Sequence, residues 1–152
     1  MNPYRCLSDE ELRNLELEFK SFLISNNILG EEWALLNKEN PEKAKGLVEL
    51  FSELVFDKII DSSNFLILKR PQFIHIIKKN NDEIEGIWIK RKSELTNEIQ
   101  ITENMELNDN DFECYKGKKK TQNIKKDWFN FLELGYVKSD EILWNELIGF
   151  IK

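Results

Sequence analysis

Apolar residues recur along this chain at two different spacings, and the spacing first changes shortly after residue 60. In the first part they return every three or four positions, the period of a helix with one buried stripe. Leu12, Leu15, Phe19, Phe22 and Leu23 make the first such stripe. Ser8 and Glu11 precede it at the spacing of a capping box, in which each side chain takes a backbone N–H that the first helical turn leaves unpaired. Asn26-Asn27 and Gly30 predict its end. A short second helix is predicted over 31–38, with Trp33 and Leu36 on one side. Asn40-Pro41 reads as an N-cap followed by proline in the first helical position, where its missing N–H costs nothing. A third helix is predicted from Pro41 to about Ile60, burying Ala44, Leu47, Val48, Phe51, Leu54, Val55 and Ile59.

Beyond that point the runs are short and rich in β-branched residues. Phe65–Leu68, Phe73–Ile77, Ile84–Ile89 and Glu98–Ile101 predict strands, separated by Arg70-Pro71, by Asn80-Asn81-Asp82 and by a polar stretch after Arg91. The links are too short for crossovers, so the pairing is expected to be antiparallel. Asn80 to Glu83 is the clearest hairpin turn. Residues 103–122 read as a polar loop. Helical spacing returns at Ile124, Trp128, Phe131 and Leu132 and ends at Gly135. Ser139 is the expected cap of a last helix carrying Ile142, Leu143, Leu147, Ile148 and Ile151. The expected fold is α+β over one domain, 1–152. N-terminal helices (1–60) pack on a small antiparallel sheet (64–102), closed by C-terminal helices (123–152).

Composition adds that 152 residues with 41% hydrophobic and 11% aromatic side chains supply a core without disulfides or metal. No apolar run approaches the roughly 20 residues of a membrane span. No secretion signal is visible, and two distant cysteines, Cys6 and Cys114, read as reduced thiols. The expected location is the cytoplasm. The net charge of −6 conceals a sharp switch: residues 93–113 carry 7 acids and no base, whereas 114–126 carry 6 lysines and no acid.

Candidate chemistry is sparse. His75 is the one histidine and could in principle act as a general base. It lies between Phe73-Ile74 and Ile76-Ile77, so a packed or edge strand position is the expectation. With one imidazole and two thiols, a zinc shell is not expected. Asp109, Asp111 and Glu113 alternate like a calcium loop, but Cys114 and Lys120 stand where that loop needs glycine and glutamate. No glycine-rich phosphate loop is present, and no cofactor is expected. Lys116, Lys118, Lys119 and Lys120 could meet a phosphate backbone, with Tyr115 and Trp128 as stacking rings. Mutual screening with the acids before them is the plainer reading. Trp88 falls on the opposite strand face from Ile87 and Ile89, to be covered by the chain's own helices or by a partner.

Four segments carry a resemblance: Leu7–Leu12, Asn40–Ala44, Leu50–Phe56 and Leu134–Asp140. On these the chain resembles an uncharacterised family of short bacterial proteins of Bacteroidetes-type organisms, over its whole length. The resemblance transfers no activity and no residue role. The functional expectation is a non-catalytic cytoplasmic interaction or adaptor domain whose partner is another protein. Its candidate surface comprises His75, Trp88, Tyr115, Lys116, Lys118, Lys119, Lys120 and Trp128. The alternatives are a weak nucleic-acid- or ribosome-associated binder using 115–128, and an enzyme with dispersed carboxylates.

Overall fold

A computed structural model of the chain describes residues 4–92 and 112–151. The described residues form six helices and a five-stranded antiparallel sheet, an α+β protein. The chain divides into two compact units, Met1–Ile59 and Ile60–Lys152.

The first unit is helical. Helix α1 (Asp9–Asn14) begins at the expected box: Ser8 Oγ accepts the Glu11 N–H at 3.2 Å and Glu11 Oε1 accepts the Ser8 N–H at 2.9 Å. Arg5 forks onto the same carboxylate and, with those bonds, holds Glu11 down to about 2. The expected single first helix is broken at Leu15 (φ −110°, ψ 29°), beyond which α2 runs over Glu16–Ser25. The apolar stripe survives the break, with Phe19 and Leu23 buried. Asn27 ends α2 in the left-handed region (φ 63°), and the Ile28 N–H returns to the Leu23 carbonyl at 2.8 Å. Gly30 therefore opens α3 (Gly30–Glu39) and has no part in closing α2. Helix α4 (Pro41–Ser62) is capped by Asn40, whose Oδ1 accepts the Lys43 N–H.

Aromatic rings fill this unit. Phe19 lies 5.1 Å from Trp33 and 4.9 Å from Phe51, and Phe22 lies 5.3 Å from Phe51. The buried line of α4 passes through Ala44, Phe51, Ser52, Phe56 and Ile60. Leu54, expected in the core, is 52% exposed, and Ile59 lies outside too. The true stripe is set by Phe56 and Ile60, one position beyond the expected Val55 and Ile59. The segment before α1 lies against α4. The Tyr4 hydroxyl donates to Asp57 at 2.6 Å, and the Leu7 N–H donates to Ser52 Oγ at 2.8 Å.

The second unit carries the sheet: β1 (Phe65–Arg70), β2 (Phe73–Asn80), β3 (Glu83–Arg91), β4 (Phe112–Lys120) and β5 (Val137–Lys138), in the order β4-β3-β2-β1-β5. The hairpin at Asn80–Glu83 forms as expected, with Asn81 at φ 51°. The strand expected at Glu98–Ile101 lies outside the described residues. Residues 112–120, expected within a polar loop, form β4. Their strand state comes from pairing with β3, and at three positions opposite charges meet across the ladder: Glu83 faces Lys120, Glu85 faces Lys118 and Lys90 faces Glu113. Helix α5 (Ile124–Glu133) starts at Asn123, and α6 (Glu141–Ile148) starts at Asp140, whose carboxylate accepts the Leu143 N–H at 2.8 Å. Asp140, not the expected Ser139, is the cap, and Ile142 is exposed.

The strands divide this unit into two layers. Ile67, Ile74, Ile76, Ile87 and Ile89 pack with Trp144 and Leu147 of α6 as a dry core. The alternate residues face α5.

Candidate functional site: a cavity under helix α5

Alternation along β2 and β3 puts His75, Ile77, Ile84, Gly86 and Trp88 on the α5 face. His75 and Trp88 are direct cross-strand partners. Their rings stack at 3.7 Å and 9°. Phe73 adds a tilted contact to Trp88 at 5.2 Å, and Lys90 lies 5.3 Å over the indole. From the other side Phe131 of α5 meets His75 edge-on.

His75 is 6% exposed, and burial lowers its pKa to about 4, so the ring is neutral near pH 7. Its Nδ1 lies 2.5 Å from the Tyr136 hydroxyl. Tyr136 is delivered by Gly135, whose φ of 104° turns the chain sharply after α5. Burial raises the Tyr136 phenol, which therefore keeps its proton. The phenol is assigned as the donor to Nδ1, which leaves the histidine proton on Nε2.

The Nε2 atom explains Gly86. A Cβ at that position would stand 2.9 Å from His75 Nε2. Gly86 pairs directly with Gly117 of β4, and a Cβ at Gly117 would meet nothing within 4 Å. Two adjacent strands thus lack side chains at the same level, and α5 spans the gap. The result is a cavity of about 520 Å³. Trp88, His75 and Phe131 give it aromatic walls; Ile77, Ile84 and Leu134 complete the apolar lining; Lys118, Lys119, Thr121, Asp127 and Asn130 make its polar rim. Thr121 Oγ1 donates to the Asp127 carboxylate.

The structure brings four of the eight candidate residues to this cavity: His75, Trp88, Lys118 and Lys119. Trp128 is 0% exposed and its indole N–H donates to Ser63 Oγ at 3.1 Å, so it is a core residue and not a stacking surface. Lys79 lies 5.2 Å over its ring and donates to the Ile60 carbonyl, and burial lowers the Lys79 pKa. Tyr115, 49% exposed, donates to Glu113 on the surface of β4. The lysines do not form one stripe. Lys116 and Lys118 stand opposite Ile87 and Glu85, whereas Lys119 stands opposite Ile84 on the cavity face.

The sequence reading missed Gly86, Gly117, Phe131 and Tyr136 as members of one site. A glycine inside each of two pairing strands was the available signal. Among the described residues no group of three or more His, Cys, Asp or Glu is placed to hold a metal. Among them, too, no helix is long and apolar enough to cross a membrane.

One family model matches the whole chain, residues 1–152: DUF6495, a family of unknown function. The chain belongs to this family. No curated protein and no solved structure matches it. The family therefore brings no substrate or partner to the cavity, which has to be interpreted from its own geometry.

Proposed function

We propose that this member of the family is a non-catalytic binding domain and that its binding site is the cavity under α5. The observation that carries the reading is Gly117. Glycine weakens a strand interior, and here, among the described residues, nothing lies within 4 Å of where a Cβ would stand. The vacancy opens onto aromatic walls with a few polar groups at the rim, the usual make-up of a ligand site. A non-catalytic role is supported by the neutral, weakly basic His75 and by Asp127, whose carboxylate already holds the Thr121 hydroxyl. Cys6 and Cys114, neither of them in a disulfide, suit a reducing compartment such as the cytoplasm.

The lysines of β4 have a structural use that favours this reading over nucleic-acid binding. Among the described residues β4 is a sheet edge, and lysines on an edge strand discourage pairing with other chains. Random RNA is expected to give no mobility shift at physiological salt. A shift abolished by the combined change of Lys118, Lys119 and Lys120 to alanine would make nucleic acid the partner instead.

The direct test is an NMR fragment screen. Hits are expected to perturb Trp88, His75 and Phe131 together and to vanish in a folded Gly117→Val variant. Hits that persist in that variant would sink the reading.

A further inference from the structure

This inference rests on the cavity being the binding site and adds what it binds. We propose that the cavity takes a planar aromatic ring bearing a carboxylate, the ring lying over the Gly86–Gly117 floor against Trp88 and the carboxylate meeting Lys119.

The shape argument comes first. The floor is the Gly86–Gly117 pair, where two adjacent strands present bare backbone that a planar ring can approach closely. Trp88 is held as a rigid wall by its stack on His75, and an aromatic ring meets such a wall favourably in offset or edge-to-face contact. About 520 Å³ is ample for a fused two-ring system. The His75 Nε2–H, beside Gly86, supplies one donor at the floor for a ring heteroatom or carbonyl.

The charge argument is independent of shape. The ionisable groups lining the cavity are His75, Lys118, Lys119 and Asp127. His75 is neutral near pH 7. Lys118 belongs by register with Glu85 on the other face of the sheet and lies 3.9 Å from Glu83. Asp127 accepts the Thr121 hydroxyl, and its charge disfavours an anion beside it. Lys119, on the cavity face opposite Ile84, has no acid within ion-pair distance among the described residues. It is exposed, so a ligand carboxylate there gains one modest ion pair that a neutral ligand lacks.

Calorimetry with three probes separates the parts of the proposal. Indole-3-carboxylate is planar and charged, indole-3-carboxamide is planar and neutral, and cyclohexanecarboxylate is charged but not planar. The first is expected to bind one per chain, roughly three- to fivefold tighter than the carboxamide, the worth of one partly exposed ion pair. The gap should close in Lys119→Met, and Gly117→Val should abolish binding of both indoles while the melting temperature holds. Equal binding of carboxylate and carboxamide to the unaltered protein would overturn the assignment of charge and leave the cavity reading standing. Binding of cyclohexanecarboxylate as tight as that of the indole acid would overturn the planar ring. If no probe binds, both the inference and the cavity reading fall.

Discussion

Two faces of one sheet in the second unit follow opposite rules. Toward α6, Ile67, Ile74, Ile76, Ile87 and Ile89 are buried as a continuous aliphatic layer against Trp144 and Leu147. Toward α5, the residues between them include His75, Trp88 and two glycines beside Ile77 and Ile84, and a cavity of about 520 Å³ remains. The strands are the same, so backbone geometry cannot account for the difference. Side-chain choice does. One face is built for stability, and the other carries a buried imidazole and a strand glycine with no packing reason, the pattern expected where function sets residue identity.

The comparison is broken or sharpened by substitutions on each face. The largest effect is expected from Ile87→Ala on the aliphatic face, about 2–5 kcal/mol by chemical denaturation, because a fully buried site collapses poorly. A loss below that range would show the α6 face to be less tightly packed than its burial implies.

Next comes pH. His75 titrates near 4 in the folded chain and near 6.5 when unfolded, so the unfolded state binds more protons between those values. Stability is full above pH 6.5 and falls as pH drops toward 4, by up to about 3 kcal/mol. His75→Gln should flatten that part of the curve, and an unchanged slope would assign it to carboxylates.

Gly86→Ala should cost roughly 1–3 kcal/mol, since its Cβ would press on His75 Nε2 at 2.9 Å. The loss should shrink when His75→Ala is made as well, in a double-mutant cycle. Smallest is Gly117→Ala, expected within about 0.5 kcal/mol of the parent and on the stable side, because a Cβ there meets open space. The contrast between two neighbouring glycines is the sharpest form of the comparison. Equal losses at both would remove the case for a functional vacancy.

Much of this fold was legible because local signals agree with it. Ser8 and Glu11, Asn40-Pro41, and the Asn81 turn each satisfy backbone groups with neighbouring residues, so the sequence carries the whole interaction. Strand β4 was not legible, since Lys116, Lys118 and Lys120 have no alternation of apolar and polar groups. Lys118 and Lys120 face the acids Glu85 and Glu83 of β3, some 35 residues earlier, and Lys116 faces Ile87. The site was half legible for the same reason. The strand position of His75 and the parity of Trp88 are local, whereas the Tyr136 bond spans 61 residues and the Gly86–Gly117 pairing depends on register.

The buried Ser52 hydroxyl of the first unit has a consequence in time. It accepts the Leu7 N–H and donates to the Val48 carbonyl, so the chain's opening segment is fastened to a helix 45 residues further on. At roughly 5–20 residues per second of synthesis, Leu7 waits several seconds for that partner to be made. The segment from Tyr4 to Leu7 is synthesised before α4, yet it cannot dock until α4 exists. In the finished protein the same amide is sealed at 2.8 Å inside the helical unit. Its exchange with solvent deuterium should await opening of that unit, making Leu7 a clock for how often the helices come apart.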